Sequence, residues 1–114
     1  HPVTEATTGI DIVHEQLRIA RGESLGYYQE DIAWYGSAIE ARLYAEDPAN
    51  DFLPATGSLI AYEPNSEAEA RWDSGVEQGS IIGTDFDPMI AKVICYGENR
   101  VEASNKLSMA LESL

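Results

Sequence analysis

Turn-forming residues punctuate the middle of this chain so closely that only short extended segments fit between them. Asp47-Pro48 closes one run, residues 47–57 are rich in Pro, Asn, Asp and Gly, and Pro64-Asn65-Ser66 has the composition of a hairpin tip. Gly83 and residues 85–88 precede the last run. The segments left between these breaks, residues 36–48, 58–62, 70–73 and 89–96, are strand candidates. Strands joined only by short turns predict an antiparallel sheet or a small barrel rather than alternating strand–helix units.

Period-two alternation along residues 36–48 puts Ser37, Ile39, Ala41, Leu43 and Ala45 on one face. Ala38, Glu40, Arg42, Tyr44 and Glu46 share the other. The first face suits burial; the second presents a guanidinium flanked by acidic groups. In residues 89–96 the same rule groups Met89, Ala91, Val93 and Cys95 against Ile90, Lys92, Ile94 and Tyr96.

Helical spacing is confined to the two ends. Residues 1–8 read as an extended lead-in. Thr8 and Asp11 have capping-box spacing, Ile10, Val13, Leu17 and Ala20 form an apolar stripe, and Gly22 is a stop, which predicts a helix over about 9–21. His14 falls on its polar side and reads as a solvated surface histidine. Residues 22–35 connect. Asn99 with Glu102 starts a second helix whose stripe is Ala103, Leu107, Ala110, Leu111 and Leu114. The chain stops inside that stripe, as a fragment would. The expected class is α+β: a small antiparallel sheet or half-barrel flanked by an N-terminal and a C-terminal helix.

With 20 acidic and 7 basic residues the net charge is −13. Such a field disfavours nucleic acid and anionic membranes, which need clustered Lys and Arg. No apolar run approaches the roughly 18 residues of a membrane helix, and the N-terminus lacks signal-peptide organisation. The lone Cys95 agrees with a reducing compartment, so a cytoplasmic protein is expected; the thiol itself reads as buried and inert. Phosphate-binding glycine loops, zinc spacings and nucleophile elbows are missing.

Any anion handled here must be held by a local cation. Arg42 stays protonated at every accessible pH, so it can bind an anion or stabilise developing charge, with Glu40 and Glu46 as candidates to orient it. The competing reading, commoner on spacing alone, is a structural Arg42–Glu40 pair. Lys92, among apolar neighbours, reads as a stem laid along the surface. Asp87, a loop residue like Asp85, is placed to bind either Lys92 or Arg42.

Several motifs occur in one order: His1-Pro2-Val3-Thr4-Glu5, Glu15-Gln16-Leu17-Arg18-Ile19-Ala20, Glu40-Ala41-Arg42, Ala45-Glu46-Asp47-Pro48, Phe52-Leu53-Pro54, Asp73-Ser74-Gly75-Val76 and Asp87-Pro88-Met89-Ile90-Ala91-Lys92. In this register the chain resembles the C-terminal part of biotin carboxylase, from the α chains of biotin-dependent acyl-CoA carboxylases. The resemblance implies a ligase that uses ATP, Mg2+ and bicarbonate to carboxylate biotin on a carrier domain, with a carboxyltransferase subunit as a further partner. It also implies that Arg42 contacts bicarbonate and the biotin ureido oxygen, stabilising the biotin enolate. The nucleotide, the metal and the general base, a glutamate of the Gln-Val-Glu preceding His-Pro-Val-Thr-Glu in the family, fall upstream, so the fragment alone is expected to be inactive.

On this basis residues 1–24 are expected to be the tail of the ATP-grasp domain and residues 25–114 the biotin carboxylase C-terminal domain, truncated in its last helix. An acidic segment, residues 63–70, stands where the family commonly has a Gly/Pro-rich turn, near a dimer surface of some members, which leaves assembly open. Asp87-Pro88-Met89 resembles the propionyl-, methylcrotonyl- or broader acyl-CoA branches. The alternative is a non-catalytic acidic module that docks a partner protein and uses Arg42 structurally. The enzyme reading demands a Gln-Val-Glu immediately before His1; the docking reading does not.

Overall fold

The computed structural model describes residues 1–114. Its elements are helices α1 (Pro2–Thr8) and α2 (Ile12–Ala20), then strands β1 (Ser37–Tyr44), β2 (Glu46–Asp47), β3 (Leu53–Pro54), β4 (Gly57–Ser58), β5 (Arg71–Ser74), β6 (Ile81–Ile82) and β7 (Met89–Gly97), and finally helix α3 (Arg100–Glu112). Single 3-10 turns cover Gln29–Asp31 and Pro48–Asn50. The class is α+β, with three small antiparallel sheets.

The longest apolar run becomes the centre. β7 lies between β1 and β5, antiparallel to both, while β2–β3 and β4–β6 form separate two-stranded ladders. Val93 and Cys95 face α3, where they enclose Ala110 with Leu107, Trp72, Ala68 and Ala70 around them. Ala103 and Ala110 are fully buried, and their small size lets the helix lie close to the strand. Helix α1 also lies against β1 and β7, and Arg71 Nη1 donates to Glu5 Oε1 at 3.0 Å. Ile94, on the face opposite Val93, is buried as well. A strand covered on both faces reads as a nearly continuous apolar run, as β7 does.

Several sequence expectations need correction. Residues 1–8 are helical rather than extended. Pro2 occupies the first turn, where its missing N–H costs nothing, Thr7 and Thr8 hydroxyls donate back to Val3 and Thr4 carbonyls, and Gly9 ends the helix at φ 74°. The next helix is capped by Asp11 alone, whose carboxylate accepts from the His14 N–H; Thr8 Oγ1 accepts from the Ile10 N–H instead. The stripe on α2 is not buried in this chain: Val13 is 63% and Leu17 60% exposed. His14 is exposed.

The strand expected over 36–48 ends at Tyr44, because a bulge between Leu43 and Tyr44 shifts the register and the Ala45 N–H turns to the Pro88 carbonyl. Its start is pinned by Gly36, at φ 65°, where a Cβ would overlap the Tyr96 hydroxyl and the Gly97 carbonyl. Of the 58–62 segment only Ser58 is strand, as the end of β4, which pairs with the unanticipated β6. Pro64-Asn65-Ser66 is not a hairpin tip, since β4 and β5 pair with different partners; Asn65 makes a local turn by accepting from the Glu67 N–H. Asn99 caps α3 as expected, accepting from the Glu102 N–H at 3.0 Å, but the Glu102 carboxylate accepts in return from the Glu98 N–H rather than from that of Asn99.

Candidate functional site

Register decides what surrounds Arg42. On β7 it stands directly opposite Lys92, and Lys92 stands opposite Asp73 of β5. Two cations facing each other across adjacent strands repel, so this rung is stable only if a neighbour compensates. Glu40 compensates from the adjacent same-face position on β1: its Oε1 lies 3.8 Å from Lys92 Nζ. The pair is well shielded, with side chains 18% and 29% exposed.

Arg42 therefore makes no ion pair with Glu40, and the commoner structural reading of its spacing is not realised. Its Nε donates to Met89 Sδ at 3.5 Å, and its Cζ lies 5.2 Å from the centroid of the Tyr44 ring. A thioether is a weak, neutral acceptor, and an aromatic face attracts a cation without consuming its N–H donors. The two terminal amino groups of the guanidinium make no protein hydrogen bond and face solvent. The bulge that ends β1 puts Tyr44 opposite Met89, so both flank the same guanidinium. This exposed cation carries its donors ready-placed for an anion, on a chain of net charge −13.

The other candidates separate. Glu46 lies in β2, paired with Pro54, and makes no bond to Arg42. Asp87 binds neither Lys92 nor Arg42; its Oδ1 accepts from the Met89 N–H at 2.8 Å, which steadies the start of β7. With Asp85, Phe86 and Met89 it lines an open cleft of about 490 Å3. Cys95 is buried, and burial pushes its thiol pKa up. No three His, Cys, Asp or Glu side chains stand close enough to hold a metal ion. Sequence reasoning missed Tyr44 and Met89 as neighbours of Arg42, and the Glu40–Lys92 pair. Alternation already put Tyr44 on the right face, whereas the other two needed the β1–β7 register.

The small antiparallel sheet thus carries an exposed guanidinium that no carboxylate pairs with. Residues 40–114 match the biotin carboxylase C-terminal domain, and residues 1–28 match the ATP-binding domain of the carbamoyl-phosphate synthase L chain. The chain belongs to the biotin carboxylase C-terminal domain family. It is 48% identical over 115 residues to the mitochondrial propionyl-CoA carboxylase α chain of Sus scrofa, covering 99% of this chain and 16% of that protein. It is 46% identical over 112 residues to the mitochondrial methylcrotonoyl-CoA carboxylase subunit α of Mus musculus, covering 97% and 16%. Among solved structures it superposes with a TM-score of 0.93 and 41% identity on the biotin carboxylase domain dimer of Hydrogenobacter thermophilus 2-oxoglutarate carboxylase, covering 99% of this chain and 25% of that one. That structure is a complex with magnesium ADP, ADP and bicarbonate.

The chain thus spans about a sixth of the length of these curated relatives. They also overturn the expectation of a cytoplasmic protein, because both are mitochondrial. A lone reduced thiol is compatible with any reducing compartment and does not discriminate between them.

Proposed function

We propose that this chain is the C-terminal part of a biotin carboxylase, a ligase that carboxylates carrier-bound biotin with ATP and bicarbonate within an acyl-CoA carboxylase. The observation that carries the proposal is the free terminal fork of Arg42. A planar, permanently charged donor fork fits bicarbonate, a planar oxyanion, or the oxygen of a ureido group. Biotin, when bound, supplies the nitrogen that accepts the carboxyl group. Arg42 would donate its terminal N–H groups to oxygen atoms on which negative charge grows, and Tyr44 and Met89 would hold the fork in place beforehand. A preorganised donor of this kind stabilises the transition state without reorganisation at the moment of reaction.

The side chains present do not fit ATP or Mg2+: the chain has no acidic metal cluster and no phosphate-cradling glycine loop. Those groups would belong to the remainder of the parent protein, and no step through them is assigned to residues here. Residues 1–24 would be the tail of the ATP-grasp domain and residues 25–114 part of the small C-terminal domain, a half-barrel with helix α3 packed on it. The separate family matches over residues 1–28 and 40–114 support that division. The exposed Val13 and Leu17 would pack on the larger domain. The carrier domain and a carboxyltransferase subunit would be the partners. Glu40 would serve Arg42 indirectly, and Glu46 only through the backbone that follows β1.

The test is Arg42→Ala in the full-length enzyme. Biotin carboxylation should fall by roughly two to three decades, the usual loss for one charge-stabilising donor. Turnover near that of the unmodified enzyme would refute the assignment.

A further inference from the structure

Resting on that reading, we infer that Lys92 is a positioning residue that keeps Arg42 available by holding Glu40 away from it. Glu40 and Arg42 are two residues apart on one face of β1, near enough to pair in a strand of this alternation. Each such pairing would occupy the donors an incoming bicarbonate needs. In the structure Glu40 instead reaches across to Lys92 Nζ, while Arg42 donates to the Met89 sulfur, lies over the Tyr44 ring and makes no ion pair.

Lys92 is suited to the task by its position. It sits directly opposite Arg42 on the central strand, so it cannot pair with Arg42 and is forced toward a carboxylate. Asp73, also opposite Lys92 but on β5, is already engaged: Arg71 Nε and Nη2 donate to its two oxygens at 2.8 Å each. Glu5, the other carboxylate on this face, accepts from Arg71 Nη1. Glu40 is thus the carboxylate left for Lys92, and Lys92 the cation that claims Glu40. The rung turns an acidic neighbour, which would compete with bicarbonate, into half of a separate pair.

The experiment measures steady-state KM for bicarbonate and for ATP in the full-length holoenzyme carrying Lys92→Met, Lys92→Arg, Lys92→Met with Glu40→Gln, and each Lys92 change in an Arg42→Ala background. Lys92→Met should raise KM for bicarbonate about fivefold, the scale of one partly shielded ion pair, and leave KM for ATP in place. Lys92→Arg should keep the low KM. Adding Glu40→Gln to Lys92→Met should restore it, and Lys92→Met should have no further effect once Arg42 is Ala. If Lys92→Met lowers the yield of soluble enzyme, Lys92→Gln gives the same readout. An unchanged KM for bicarbonate, a rise that Glu40→Gln does not reverse, or a rise that persists without Arg42 overturns the inference. Arg42→Ala alone separates the two levels: if it retains full turnover, the biotin carboxylase reading itself fails, whatever Lys92 does.

Discussion

Removing the Tyr44 ring should loosen Arg42 without touching its charge. The Arg42 Cζ lies 5.2 Å from the ring centroid, inside the roughly 6 Å within which a ring face attracts a cation. Arg42 is exposed, so the attraction lies at the low end, about 0.5–1 kcal/mol. If that energy is lost only in the transition state, turnover falls about two- to fivefold. A guanidinium that also drifts by about 1 Å loses more, up to roughly 100-fold. Tyr44→Ala in the full-length enzyme should therefore slow ATP-dependent biotin carboxylation by between about twofold and about 100-fold, less than Arg42→Ala. Tyr44→Phe keeps the ring and should retain the rate; Tyr44→Leu keeps bulk without a π face and should not. A Leu variant at full rate, or a Phe variant as slow as Ala, would refute the ring-face argument.

The core and the start of α3 give two further tests. Val93 has no exposed surface, and Val93→Ala deletes two methyl groups from a core of few members, so stability should fall by about 2–3 kcal/mol, read as a lower urea midpoint at unchanged slope. A midpoint within error of the original would mean that the β7–α3 contact is not what holds the fold. At the helix start, the hydrogen bond from Lys106 and then that from the Glu98 N–H lower the Glu102 pKa below its ordinary 4.5. A depressed carboxylate contributes fully above its unfolded value and loses the contribution as pH falls through the folded one. Melting temperature should thus drop more steeply below pH 4.5 in the unmodified protein than in Glu102→Gln, with parallel curves counting against the assignment.

Much of this arrangement is legible in the residues. Alternation correctly grouped Glu40, Arg42 and Tyr44, and the apolar run after Pro88 became the central strand. Asn99 capped its helix because its side chain can bond a backbone N–H close in sequence, an interaction that local spacing specifies. Where reading failed, the deciding contact was distant. Residues 1–8 read as extended, yet they form a helix that docks on β1 and β7 and is tied down by the bond from Arg71 to Glu5, contacts distant in sequence. The bulge after Leu43 depends on how β1 meets β7, and it removed Glu46 from the face that alternation gave it.

The free state of Arg42 divides the two kinds of information most sharply. Its motif and its face follow from the order of residues, since strand periodicity is local. Whether its charge is spent on Glu40 or left open is not a local matter, because both outcomes satisfy the same spacing. It is decided by which residue β7 brings opposite Arg42, and that residue is a lysine. Sequence thus determined that a cation would stand on this strand; the tertiary pairing, by giving Glu40 a different partner, decided that the cation has no carboxylate on it.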